Sequence, residues 1–438
     1  MEICPDAPSR RDKFVAGLSE LIGGPAGAHF AGRRQFWTPL RVMLILAIGV
    51  FVANVATHVS CASDQEDAFR DACYTDVQAA YDSYGLDEGL IPYQDSTIDQ
   101  PFGVGLMIGV IGQVAPNTTV FYLLTAFMLL GAWLTVVVLV AQARPHHPWD
   151  AAMVAAAPTI FVVGTMNWDL LAIALASLAL YCWSIQRLGW AGIFIGLAAA
   201  VKFYPLLLLY PLLLLAVRAR RMPEFVLTFC SAFSTWVAVN LPAYLMYPDR
   251  WSGYFSFASE REISPGSFWS IGAHFPFTKG KGWGWFADFR YDVGGANDWS
   301  NALFCLVLIG VAVLILLTPR PPDLAAACFM LVAGFLLFHK VWSPQDSLWL
   351  IPLLALARPR WVAFIAWQCS EVFYYFAWNQ FMVEQEGGQA VFPTEAVTWA
   401  GLLRWLALAT LCGLVLRDVL SSVRSEDLDG GVLDAKYQ

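Results

Sequence analysis

Long apolar runs alternate with short polar turns along most of the chain, and two wider polar intervals interrupt the rhythm. The runs predict helices at 40–59, 118–142, 150–165, 168–186, 190–202, 204–217, 224–247, 299–318, 323–340, 345–357, 361–379 and 397–417. Many approach the ~20 residues that cross a bilayer. The shorter neighbours 190–202 and 204–217 read as broken or re-entrant helices, tolerated at membrane depth only where protein or a water-filled cavity covers them. Pro101 to Ala115 is apolar but short, and a helix lying in the interface is expected there. The expected fold class is an all-α polytopic membrane protein of about twelve transmembrane helices, with two large loops at 60–117 and 248–298.

The polar positions divide this pattern. A tail over 1–39 precedes a transmembrane domain over 40–417, and a second tail covers 418–438. No small-residue cleavage signature follows the apolar run Val42 to Val59, so it reads as a retained helix. Arg10, Arg11, Lys13, Arg33, Arg34 and Arg41 precede that helix. If twelve segments cross, Arg144, Arg187, Arg218, Arg220, Arg221, Arg320, Arg358, Arg360, Arg417 and Arg424 fall on the same side. The positive-inside rule makes that side cytoplasmic. The expectation is a multi-pass plasma-membrane protein with both termini cytoplasmic and both large loops extracytoplasmic.

Composition narrows the class. The 438 residues are 58% hydrophobic and 14% charged, against about 25% charged in soluble domains, so membrane lipids are the expected surroundings. A net charge of -8 without a long basic run argues against nucleic acid as a partner. There is no P-loop, no G-x-G-x-x-G after a strand and no H-E-x-x-H. No cofactor is expected, and no Cys or His spacing suggests a metal. Cys61 and Cys73 are the cysteines of the large loops. An oxidising compartment would join them; two free thiols are the other outcome.

Charges in apolar surroundings carry the chemical information. Lys202 interrupts "GIFIGLAAAVKFYPLLLL", and Pro205 disfavours helical geometry at Tyr204, so a chain break beside the lysine is expected. A lysine snorkelling to the headgroups is the plainer reading. Asp169 begins a helix in "NWD", where Asn167 is a candidate N-cap and a carboxylate suits the positive helix end. Glu371 and Arg404 in adjacent apolar runs read as a structural pair. "GWGWFADF", Gly282 to Phe289, reads as a loop packed on the membrane surface. Between Ser60 and Gln100 there are ten acidic residues against the single Arg70. Asp76, Asp82, Asp87, Glu88, Asp95 and Asp99 all belong to this set, so no one of them stands out by type.

A family resemblance separates them. "CYTDVQAAYDSYGLDEGLIPYQD" resembles the first outer loop of the actinobacterial membrane glycosyltransferases of family 87, within the GT-C superfamily. "NWDLLAIALASLALYCWS" followed by "AGIFIGLAAAVKFYPLLLLYPLLLL" resembles the middle section of that family. "FSFASEREISPGSFWS" and "HKVWSPQDSLWLIPLLALARPRW" complete a set of blocks in family order, covering residues 40 to 380. The resemblance implies a GT-C-like fold and transfer of a sugar, most often mannose. The donor would be a polyprenyl-phosphate-linked sugar, and the acceptor an extracytoplasmic glycolipid or glycan. It also implies an essential carboxylate in the first outer loop, and Asp76 is the match. Two departures stand out: "DQPFGVG" where the family often reads E-Y-P-V-L-T-G, and Asp346 where an aromatic commonly follows the glutamine of W-S-P-Q.

The implied chemistry assigns roles. A phosphate leaving group needs no acid, so one carboxylate acting as general base on the acceptor hydroxyl suffices, and direct displacement inverts the anomeric centre. Positive charge on the phosphate is the other requirement. Lys202 and Arg261 are the candidates, the arginine through a bidentate fork; pairing of Arg261 with Glu260 or Glu262 is the plainer alternative. Tyr204, His339, Lys340, Trp342 and Gln345 are candidate donor or sugar contacts, and Asp169 either binds sugar or orients Lys202. Arg404, read first as the structural partner of Glu371, has a lipid-phosphate contact as its alternative. A lipid transporter or flippase is the competing reading, since it too explains many crossings and charges at membrane depth.

Overall fold

A computed structural model of the protein describes residues 37–62, 65, 67–275 and 282–420. Most of both expected tails, 1–39 and 418–438, lies outside the described residues. In chain order the helices are α1 Pro39–His58, α2 Asp76–Ser83, α3 Phe102–Gly112, α4 Thr118–Ala143, α5 Ala152–Ala155, α6 Pro158–Val163, α7 Asp169–Ser184, α8 Leu188–Val201 and α9 Leu209–Arg218. They continue as α10 Met222–Met246, α11 Pro248–Glu260, α12 Phe268–Ala273, α13 Val293–Leu317, α14 Leu324–Phe338, α15 Leu350–Ala357, α16 Trp361–Gln385 and α17 Glu395–Leu420. An isolated bridge between Pro92 and Ser96 is the only β pairing among the described residues.

Five helices among the described residues are long and apolar enough to cross a membrane: α1, extended by a 3-10 turn to Ala62, with α4, α10, α13 and α17. Other expected crossings are shorter or broken. The run expected at 150–165 divides because Pro158 keeps Ala157 extended, leaving a 3-10 turn, α5 and α6. The run at 345–357 starts as a 3-10 turn, Pro344–Trp349, before α15. α14 is only 15 residues long and buries almost all of them, the pattern of a helix enclosed by protein on every side. Beside Lys202 the expected break is present, two residues before Tyr204, the position that Pro205 alone suggests. Lys202 itself is extended, and Tyr204 and Pro205 enter a 3-10 turn, Tyr204–Leu208, that leads into α9.

The loops hold three helices that the polar pattern concealed: α2, α11 and α12. α3 falls in the stretch expected to be interfacial. At 11 residues it spans about 16 Å, too short for a bilayer core of about 30 Å. It crosses α8 so closely that a Cβ on Gly103 would lie 2.6 Å from the Ala200 carbonyl oxygen.

The tightest pairing, α8 on α10, depends on two glycines spaced four apart. A Cβ on Gly192 would lie 2.2 Å from the Thr228 carbonyl oxygen, and one on Gly196 2.4 Å from that of Ala232. Small residues at this spacing let helix backbones approach where lipid gives no hydrophobic drive to associate.

α4 fixes the two ends of the molecule. Its start touches the first large loop, with Phe121 against Tyr81 at 5.5 Å between ring centroids. Its 26 residues carry the chain about 39 Å to Arg144, which pairs with Asp150 at 2.8 Å. Other arginines expected on one side bond within their own neighbourhood: Arg218 to the Ile315 carbonyl at 2.5 Å, and Arg358 to Asp418 at 2.8 Å.

Gly196→Ala is expected to lower the thermal unfolding midpoint in detergent, since overpacking costs about 1–3 kcal/mol. Gly131→Ala in α4, where nothing lies within 4 Å of a new Cβ, is expected to raise it, by up to about 1 kcal/mol. Equal midpoints for both variants would show that α8 and α10 do not meet at Gly196.

Candidate active site

Asp76 is the first residue of α2. Thr75 before it is extended, and its hydroxyl accepts from the Gln78 N–H at 3.0 Å, which starts the helix at this point. The Asp76 N–H donates to the Met166 carbonyl at 2.8 Å, and Asn167 Nδ2 donates to Asp76 Oδ2 at 2.7 Å. The loop is not a solvated strap. Cys61 and Cys73 are joined by a disulfide with Cα atoms 6.1 Å apart. Gln78 Nε2 donates to the His58 carbonyl at 2.8 Å, and the Tyr375 hydroxyl to that of Ala72 at 2.5 Å. The turn carrying Met166 and Asn167 is held in the same way, with Thr165 Oγ1 donating to Asn54 Oδ1 of α1 at 2.8 Å.

Burial raises the Asp76 carboxyl above its ordinary pKa; the Asn167 hydrogen bond, then the charges of Arg261 and Lys202, then Tyr74, oppose that rise. Burial and the neighbouring Asp76 likewise push the Tyr74 phenol well above its ordinary value. Asp76 is half-buried, whereas Asp82, Asp87, Glu88 and Asp95 are exposed. Asp99 is half-buried as well, so burial narrows the six carboxylates to two, of which Asp76 is the one held by Asn167.

Across from this turn, Asp169 is buried at the start of α7. Lys202 Nζ lies 3.0 Å from its Oδ1 and 3.1 Å from its Oδ2, and Trp349 Nε1 donates to Oδ1 at 2.6 Å. Tyr204 stacks on Trp349 with ring centroids 4.3 Å apart and planes 6° from parallel. Lys202 is thus paired with Asp169 rather than snorkelling. Asn167 is not the N-cap: Trp168 occupies that position, and the Asn167 side-chain oxygen accepts from the Trp168 N–H at 2.6 Å. That leaves its amide nitrogen for Asp76.

Arg261 follows α11, is exposed, and reaches Ser343 Oγ at 3.4 Å, not Glu260 or Glu262. The other candidates of the W-S-P-Q block divide. His339 Nδ1 donates to the Val341 carbonyl at 2.8 Å, and its ring stacks on Phe335 at 4.5 Å. Lys340 is buried, and its Nζ donates to the Ser259 carbonyl at 2.7 Å, capping the end of α11. Trp342 is fully buried with the Arg404 guanidinium 3.8 Å over its ring, so that face is not available to a sugar. Lys340 and Trp342 are thus both engaged within the protein in this structure. Gln345 is buried, with its side-chain oxygen unpartnered. Asp346, the departure from the family block, accepts from the Ser343 N–H at 2.7 Å and closes the turn as a capping box.

Tyr74, Asn167 as a partner of Asp76, Trp349, Tyr84 and Asp99 escaped the sequence reading. The Tyr84 hydroxyl donates to Asp99, and Asp99 bears electrostatically on Tyr74 and Tyr254. Tyr74 adjoins Asp76 by only two residues and was open to notice. Trp349 was not, because its role depends on a contact 180 residues away. Among the described residues no cluster of His, Cys, Asp or Glu has metal-binding geometry.

One carboxylate whose basicity burial raises, in the field of two cations from different segments, has the chemistry to take a proton from a hydroxyl. The model of glycosyltransferase family 87 matches residues 101–344, more than half of the chain. The chain belongs to glycosyltransferase family 87. It is a multi-pass membrane protein, and the family implies glycosyltransferase activity. The matched stretch contains Asp169, Lys202, Tyr204, Arg261, His339, Lys340 and Trp342, whereas Asp76, Gln345 and the disulfide lie outside it. No curated protein matches. Among solved structures the chain is similar to ArnT from Cupriavidus metallidurans in the apo state, at 12% identity. That likeness covers 87% of this chain and 76% of that one, with a TM-score of 0.39.

Proposed function

We propose that this glycosyltransferase moves a sugar, mannose being the first choice, from a polyprenyl-phosphate-linked donor to an extracytoplasmic glycolipid or glycan. Asp76 is the general base, and the anomeric centre inverts. A GT-C-like arrangement of about twelve crossings, with both termini cytoplasmic, belongs to the same reading. The observation that carries it is the setting of Asp76, a half-buried carboxylate oriented by Asn167 within the field of Arg261 and Lys202. The acceptor hydroxyl sits at the carboxylate, and the donor phosphate on the cationic side with Arg261 as its exposed contact.

Asp76→Asn keeps the shape and the first turn of α2 but removes the basicity. Transfer from a polyprenyl-phosphate sugar is expected to fall by about 10²-fold or more, with thermal stability unchanged. Asp82→Asn on the exposed side of the same helix is the control, expected near wild type. Near-normal transfer by Asp76→Asn would remove the base assignment.

Transfer requires the deprotonated carboxylate, so the rate should climb with pH through a midpoint above the ordinary carboxylate value. The Asn167 N–H stabilises the charged form. Asn167→Ala is therefore expected to move that acid limb to higher pH, and a shift to lower pH would contradict the arrangement.

The orientation is tested by single cysteines in a background without the free thiols. Cysteines at Gln94 and Gln389, both exposed, should react with an impermeant reagent from outside intact cells, and one at His146 should not. Labelling of His146 alone would invert the orientation.

A further inference from the structure

Arg404 of α17 is fully buried and takes no part in the site described so far. Its guanidinium carbon lies 3.8 Å from the ring centroid of Trp342 and 3.8 Å from that of Tyr374, so the planar cation is stacked between two aromatics. Nη2 donates to the Trp342 carbonyl at 3.0 Å, and Nη1 is 3.7 Å from Glu371 Oε2 in α16. Glu371 is itself held by Trp367 Nε1 at 2.9 Å.

Each aromatic belongs to, or holds, a segment of the site. Trp342 stands in the run that carries Ser343, Gln345, Asp346 and Trp349. The Tyr374 hydroxyl donates to the Pro265 carbonyl. Gly266, at φ +74, passes so near that a Cβ would lie 2.2 Å from Tyr374 Cε2. Gly401, one turn before Arg404, would place a Cβ 2.5 Å from the Gly266 Cα. The segment leaving Arg261 is therefore pressed onto α16 and α17 beside the clamp. The two segments also join each other: the Ser264 N–H donates to the Lys340 carbonyl at 3.0 Å, and Arg261 Nη2 reaches Ser343 Oγ at 3.4 Å.

A buried ion pair is a poor way to gain stability, since apolar side chains of similar volume often do as well or better. Here Arg404 Nε and Nη1 lack hydrogen-bond acceptors altogether. What the guanidinium does that an apolar side chain cannot is stack flat on two rings and donate in its own plane. We propose that Arg404 is a positioning residue of the donor site, clamping the segments 261–267 and 339–349 so that the Arg261 guanidinium is held beside Ser343 to receive a lipid-linked phosphate. This rests on the donor reading above and adds a residue to it.

Two changes probe the clamp. Arg404→Lys keeps a cation opposite Glu371 but loses the plane. Arg404→Met combined with Glu371→Leu removes both charges and refills the volume, so it folds even where a lone Arg404→Met does not. Binding of undecaprenyl monophosphate to the full chain in nanodiscs is measured for each, with Arg261 present and with Arg261→Ala, alongside the thermal midpoint. Both changes are expected to weaken binding by about tenfold, and the weakening should vanish once Arg261 is alanine, because coupled sites are non-additive. Normal binding by Arg404→Lys, or a loss that adds in full to that of Arg261→Ala, overturns the positioning role while leaving the phosphate contact standing. Normal binding by Arg261→Ala alone overturns both.

Discussion

A carboxylate withdrawn from water within a helical bundle has to be matched by a cation and by hydrogen bonds, and Asp169 is where this protein meets that demand. It is 1% exposed, with Lys202 on both oxygens and the Trp349 indole on one. Three segments meet there: the start of α7, the broken end of α8 and the turn before α15. Removing one partner from such a pair costs about 3–5 kcal/mol, because the other charge is left buried alone. The interruption at Lys202 is therefore an anchored corner. The Tyr204 ring stacked on Trp349 closes it on the side of α9.

The pairing divides labour between the cations. Lys202 is already engaged by Asp169 and lies in the field of Asp346, so much of its charge is spoken for. Lys340 is buried against the end of α11. Arg261 is exposed and, among the described residues, its guanidinium bonds to Ser343, which makes it the cation proposed above to meet the donor phosphate. In the clamp proposed above, its position depends on the strap from Arg261 to Ser267, which packs on α16 and α17.

Much of this was legible in the sequence, for physical reasons. Lys202 announced itself because an ionisable residue inside an apolar run must be paired or functional, and the structure supplies the pair. Glu371 and Arg404 were legible on the same ground and are 3.7 Å apart. Apolar runs located nearly every long helix, with ends shifted by a few residues. The composition of the loops hid what their packing reveals. α2 is a short amphipathic helix inside an acidic stretch, and its contacts with His58, Met166, Ala115 and Phe121 make it part of the core. Trp342 misled in the opposite direction: a tryptophan beside a polar turn suggests a sugar platform, yet here it stacks against a buried guanidinium. Asp346 stood out only as a departure from the family block, and the structure shows its carboxylate closing a backbone turn.

The surroundings of Asp76 also bear on how one site can serve a base and a leaving phosphate together. A carboxylate in direct contact with an arginine typically drops by 1–3 pKa units, and a base weakened that far takes protons poorly near neutrality. Among the described residues Asp76 makes no ion pair. Its side chain accepts from the neutral Asn167 amide, which fixes the orientation of one oxygen, and the neutral Tyr74 phenol also stabilises it. Burial acts against the charged form, and Arg261 and Lys202 act on it only at longer range. In the proposed reaction the cations stay near enough to steady the departing phosphate and far enough not to quench the base. The disulfide and the Gln78 and Tyr375 hydrogen bonds maintain that separation, because they set where α2 begins.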